Sequence, residues 1–185
     1  MKKLKELINS EYRFSKYQML LILSMVFVFS GVFGFIYETI FYKIDLGYFV
    51  KRGSTFGPWI PIYGFGALFM TFICDKLRRK PWLVLILNTV VCGLLEFLTG
   101  YFLYNLKGIR LWNYYTEIWN FGNIGGYICL RSIAFFGVSG MLLIYMILPI
   151  IKYLCSKTNV KTFTLISLLP ALIFVIDLIT YIFIG

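Results

Sequence analysis

Five stretches of this chain are nearly free of charge, and four of them run for about 20 residues or more, the length a helix needs to cross a bilayer core. Those four cover residues 17–42, 82–104, 132–151 and 163–184. The fifth, residues 59–75, is shorter and follows Pro58, with Trp59 and Pro61 at its start. Hydrocarbon offers no water to backbone N–H and C=O groups, so segments of this kind must close their hydrogen bonds as helices. The expected fold is an all-α integral membrane protein, a bundle of about five transmembrane helices in one polytopic domain, 1–185. Segment two reads as a tilted short span, a broken helix or a re-entrant piece.

Composition supports the same conclusion. Hydrophobic residues make up 60% of the chain and charged ones 14%, against about 25% charged in soluble domains. Too few polar groups are present to cover a soluble fold, and the lipid bilayer becomes the first partner. The net charge of +10 does not indicate nucleic acid, because the Lys and Arg residues sit in short clusters between apolar runs, as in cytoplasmic loops that meet anionic headgroups.

These clusters set an expected orientation. Lys2, Lys3, Lys5, Arg13 and Lys16 precede the first segment. The apolar run after them is too long for a signal peptide and no small-residue cleavage site follows, so it reads as a retained span. With the N-terminus inside, twelve of the 18 basic residues fall on the inner side and six on the outer. The positive-inside rule then gives a multi-pass cell-membrane protein with a cytoplasmic N-terminus and, after five crossings, an external C-terminus.

The chemistry is narrow. The chain has no His, and Cys74, Cys92, Cys129 and Cys155 form no CxxC pair, so no zinc site and no cofactor is expected. Cysteines here read as small apolar packing residues. Tyr37, Tyr42, Tyr48, Phe49, Trp112, Tyr114, Tyr115 and Trp119 gather near the expected water boundaries, where flat rings with polar tips anchor a span.

Three carboxylates do not belong in lipid: Glu38, Glu96 and Asp177. Intramembrane charges are costly, face the protein interior and mark candidate sites. Asn88, Cys92 and Glu96 repeat every four residues, with Thr89, Gly93 and Gly100 beside them. Ser24, Gly31, Gly34 and Glu38 make a similar stripe, as do Ser167, Pro170, Ala171, Phe174, Asp177 and Tyr181. Each stripe is a helix face that is polar or small where the rest is apolar. The expectation is an outward-facing polar cavity between spans one, three and five, with Arg52 and Arg131 as counter-charges. The bland alternative is a structural network in which those arginines consume the carboxylates.

Two loops add candidates. Residues 52–66 carry Gly53, Gly57, Gly64 and Gly66 with Pro58 and Pro61. Glycine allows turns and close backbone approach, and N–H groups at a helix start attract anions or carboxylates. Broken helices at transporter sites use the same device. The outer loop offers Asn120 and Arg131, which apolar anchoring does not require. The expected substrate-binding set is thus Glu38, Arg52, Tyr63, Glu96, Asn120, Arg131 and Asp177, with no catalytic or metal-binding residue.

The string Arg52-Gly53 through Gly57-Pro58, then Pro61-Ile62-Tyr63-Gly64-Phe65-Gly66, resembles the bacterial Putative ABC-transporter type IV permease family. So do Tyr37-Glu38, Leu95-Glu96-Phe97, Trp112-Asn113-Tyr114, Asn120 and Ile128-Cys129-Leu130. The likeness covers residues 34–149. One departure is Asn113-Tyr114-Tyr115 where the family commonly carries Asp-Tyr-Ser after Trp112. The resemblance implies transport coupled to ATP. No GxxxxGK[ST] loop is present, so hydrolysis would come from a separate ATPase subunit. The expected role is a permease or substrate-binding membrane subunit, working with such a partner or as a homo-oligomer on an unidentified substrate. The alternatives are a membrane scaffold of an envelope complex and, more weakly, an intramembrane enzyme. Two carboxylates could act as acid and base, but no Ser- or Cys-centred nucleophile motif accompanies them.

Overall fold

A computed structural model describes residues 13–53 and 55–184. Lys2, Lys3 and Lys5 of the basic N-terminal stretch, and Ser54 of the Gly/Pro string, lie outside the described residues. Five helices carry the fold: α1 (Lys16–Leu46), α2 (Pro61–Cys74), α3 (Pro81–Lys107), α4 (Leu130–Lys157) and α5 (Val160–Ile184). α1, α3, α4 and α5 are long and apolar enough to cross a membrane. A short 3₁₀ turn, Asp75–Leu77, follows α2, and a π-helical turn, Leu143–Ile147, lies inside α4.

The boundaries follow local chemistry. Ser15 caps α1 by accepting from the Gln18 N–H, while the Gln18 side chain accepts from the Ser15 N–H. This reciprocal pair satisfies two donors that the helix itself cannot. α1 ends at Gly47 and α3 at Gly108, with φ of 81° and 68°, a left-handed conformation that costs glycine least. Pro81 opens α3 in its first turn, where a missing N–H is harmless.

The chain divides into two compact units: residues up to Phe69 together with those from Ile144 onward, and Met70–Leu143. In the first unit α1 packs on α5 and on the Leu148–Lys157 part of α4. Tyr17 Oη meets Thr164 Oγ1 at 2.9 Å, and Gly31 faces Phe174, whose ring a Cβ at Gly31 would approach to 2.5 Å. Both ladders ascend together, so α1 and α5 run parallel. Lys16 and Ile184 therefore lie at opposite ends of this unit. Leu21, Ile22, Val26, Phe163 and Phe174 form its most buried layer.

Segment two is a short uninterrupted helix, Pro61–Cys74, with non-helical backbone leading into it. The Ile60 N–H donates to the Gly31 carbonyl at 2.9 Å, and Gly31 is the central residue of the 31-residue α1. α2 thus begins at mid-length of α1. Gly64 then sits against Phe27, and the rings of Phe27 and Phe65 meet edge to face at 5.1 Å, so α2 sets off antiparallel to α1. Its 14 residues span about 21 Å, short of the roughly 30 Å core. The described non-helical residues before it, 47–53 and 55–60, lie along α1, with Arg52 at Glu38 and Ile60 at Gly31.

In the second unit α3 packs antiparallel on the first half of α4. Small residues set the approach: Gly93 lies against Ile128 and Ile133, Gly137 against Thr89, and Gly140 against the Asn88 carboxamide. Small-residue contacts of this kind bring membrane helices close enough for dispersion to hold them. The buried face of α3 is Val84, Asn88, Cys92, Gly93 and Glu96, which contains the four-residue polar stripe read from sequence. The connection 108–129 folds on itself: Leu130 N–H donates to Phe121 O, and Tyr114 N–H to Gly126 O. Gly126 has φ 76°, and a Cβ there would strike Arg110, Asn113 and Tyr115.

Candidate functional site

The Asp177 carboxylate lies on α5 and is held by residues 56–59. Its Oδ1 accepts from the Phe56 N–H at 3.1 Å. Its Oδ2 accepts from the Gly57 N–H at 2.9 Å and from the Trp59 indole N–H at 2.6 Å. The loop shapes this cradle itself. Thr55, fully buried, donates its hydroxyl to the Trp59 carbonyl at 2.8 Å, and the Trp59 N–H returns to Gly57 O at 3.0 Å. A Cβ on Gly57 would stand 2.6 Å from the indole, so glycine lets the indole N–H fold back beside the backbone donors. The indole stacks on Phe174 at 4.8 Å between centroids. Non-helical backbone at membrane depth survives only where protein satisfies it, and Asp177 and Gly31 O supply those acceptors.

Glu38, one turn beyond Gly34 on α1, accepts from Arg52 Nε at 2.9 Å. The Arg52 guanidinium lies 3.8 Å from the centre of the Tyr42 ring, so the cation is paired on one side and stacked on the other. This combination suits Arg rather than Lys. Tyr63, at the start of α2, lays its ring in the space left by Gly34.

Glu96, on α3 in the second unit, is buried. Tyr114 Oη donates to Oε1 at 2.5 Å and Ser132 Oγ to Oε2 at 2.8 Å. Tyr114 comes from the 108–129 connection and Ser132 from the first turn of α4, so one carboxylate ties three chain segments together. Beside it Arg131 Nη2 pairs with Glu117 Oε2 at 2.5 Å, with its guanidinium 5.3 Å from the Tyr114 ring centre. Asn120 Nδ2 donates to the Tyr115 carbonyl at 3.3 Å.

Glu38, Arg52, Tyr63 and Asp177 therefore belong to the first unit, and Glu96, Asn120 and Arg131 to the second. Arg52 serves as the counter-charge expected for an intramembrane carboxylate. Arg131 gives its ion pair to Glu117, a residue the sequence reading passed over. Ser132 and the indole of Trp59 were also missed: Trp59 stood out only as a marker of a helix start, and Tyr114 only as an interfacial anchor. The usable signals were the hydroxyl at the start of an apolar span and the N–H donor a buried tryptophan must satisfy.

No curated protein and no solved structure matches this chain. The family model described as Putative ABC-transporter type IV matches residues 25–182, from within α1 to within α5. The chain is a multi-pass helical membrane protein that belongs to this ABC-transporter-related family.

Proposed function

We propose that the chain is a membrane permease, or the substrate-binding membrane subunit, of a transporter whose ATP hydrolysis is done by a separate subunit. The observation that carries this reading is the non-helical backbone ahead of α2, which lies beside α1 at Glu38 and Gly31. Non-helical backbone at the mid-length of α1 is costly in lipid, and transporters keep such backbone where substrates are bound. The family supports the link to ABC transport. The polar residues of this unit, Glu38, Arg52, Tyr63 and Asp177, are one proposed substrate-contacting group, open to the outside, and Glu96, Asn120 and Arg131 of the second unit are proposed as a separate one. Parallel α1 and α5, together with the excess of basic residues on one side, support a cytoplasmic N-terminus and an external C-terminus.

A second reading is a non-transporting membrane accessory of an envelope complex. Its support is the pairing of Glu38 with Arg52 and the capture of Asp177 by three N–H donors. Purification of the tagged chain from its native membranes in mild detergent distinguishes the two. The transport reading expects a co-purifying subunit with a phosphate-binding loop, and ATPase activity that rises when the two are joined in nanodiscs. Recovery of the chain with envelope proteins and no nucleotide-binding subunit would leave the accessory reading in its place.

A further inference from the structure

We propose that the Phe56–Gly57–Trp59 cradle is an oxyanion site, that Asp177 occupies it as a tethered ligand, and that its external ligand carries a carboxylate or phosphate group. The inference rests on the transport reading for its meaning, since it names the substrate class. The chemistry of the cradle stands apart from ATP coupling.

Three N–H donors converge on one carboxylate with no cation among them. Donors arranged this way match two oxygens of any carboxylate or phosphate, because each is polarised toward negative charge and none identifies the atom behind it. The arrangement is built by the loop. Thr55 holds the Trp59 carbonyl, Trp59 holds Gly57, and the missing side chain at Gly57 leaves the indole room. Asp177 fills a shape that the loop's own contacts form.

The rim is open and basic. Phe56 is 54% exposed and Lys51 is also exposed. The Lys51 ammonium lies 5.4 Å from the Phe56 ring centre and 5.9 Å from that of Tyr181. Among the described residues it makes no ion pair. A cation held on aromatic faces at the edge of an N–H cradle attracts an arriving anion without neutralising the carboxylate already inside.

The test removes the tethered ligand and supplies a free one. Asp177→Ala in the full chain, in nanodiscs of neutral lipid, is expected to melt well below the wild type. Sodium acetate or inorganic phosphate should raise its melting temperature by about 5 °C or more at saturation, beyond a sodium chloride control. The wild type, already filled, should move little. Adding Trp59→Phe to Asp177→Ala should reduce the rescue at least several-fold in apparent affinity. A parallel preparation with anionic phospholipid and no acetate separates the sources: rescue there identifies a lipid headgroup, and rescue only by the soluble anion identifies a soluble substrate. If neither raises the melting temperature beyond chloride, or if Trp59→Phe leaves the rescue unchanged, the site is not an oxyanion site. If Asp177→Ala does not fold, Asp177→Asn carries the same titration. Its neutral amide should yield the cradle to acetate and show a larger shift than the wild type, and equal shifts in the two would overturn the proposal.

Discussion

Both units solve the same problem, a carboxylate on an apolar helix, with opposite kinds of donor. Asp177 is satisfied by two backbone N–H groups and an indole, all donors only. Glu96 is satisfied by two hydroxyls, which can donate or accept as they rotate. A rigid donor set recognises charge and shape and tolerates no exchange of donor for acceptor. A hydroxyl set adapts. The cradle of the first unit is thus the more selective of the two, and the Glu96 network the more forgiving.

The sharpest test of that difference is the same substitution made in both places. Asp177→Asn leaves one acceptor oxygen where two are used, and turns an NH₂ toward an N–H. With about 1–3 kcal/mol for each unsatisfied buried donor, the expected loss is about 3 kcal/mol, or roughly 6–12 °C in melting temperature for a chain of this size. Glu96→Gln keeps the carbonyl, and a hydroxyl turns to accept from the new amide, so about 1 kcal/mol is expected. Thermal unfolding of both variants in nanodiscs decides the matter: equal losses would remove the distinction between the two donor sets.

Next in size are changes to the donors themselves. Gly57→Ala places a methyl 2.6 Å from the Trp59 indole, an overlap expected to cost about 2 kcal/mol and to move Trp59 fluorescence. Tyr114→Phe removes one donor from Glu96, for about 1–2 kcal/mol. It should leave the fluorescence of a variant carrying Trp59 as its sole tryptophan unchanged. A shift in that signal from Tyr114→Phe would mean that the two carboxylate sites do not respond independently.

Much of this architecture is written in residue spacing. Asn88, Cys92 and Glu96 stand four apart in an apolar run, and they are the buried face of α3 because a helix brings such positions into line. Phe174 and Ser167 on α5, and Gly31 and Gly34 on α1, follow the same logic. The Gly/Pro string marks where α2 starts, since Pro58 and Pro61 lack the N–H that a helix interior needs. What spacing does not reveal is which partner each carboxylate takes. The donors to Asp177 are backbone groups of Phe56 and Gly57, which have no side-chain signature and lie about 120 residues away in sequence. Ser132 and Tyr114 reach Glu96 only after the 108–129 connection folds over α3, a tertiary event. The start of α2 at the level of Gly31 likewise depends on one hydrogen bond between distant segments.

The smallest expected effect comes from the pair that sequence reading anticipated best. Arg52 and Glu38 keep 19% and 17% of their side-chain surface exposed, so the pair is partly buried, salt weakens its attraction only in part, and the cost of desolvating both charges offsets most of the Coulomb gain, leaving about 1 kcal/mol net. Arg52 also stacks on Tyr42, a contact that depends on the flat guanidinium. Arg52→Lys keeps the charge and loses the stacking, whereas Glu38→Gln loses the charge and keeps the stacking. Thermal unfolding at low and at 1 M salt separates the two contributions. The deficit of Glu38→Gln should shrink in part at high salt, and that of Arg52→Lys should persist, because a 3 Å screening length at 1 M reaches the exposed side of the ion pair and leaves the aromatic contact intact. A deficit of Arg52→Lys that vanished with salt would show that the charge alone holds this corner of the loop, and that Tyr42 is a bystander.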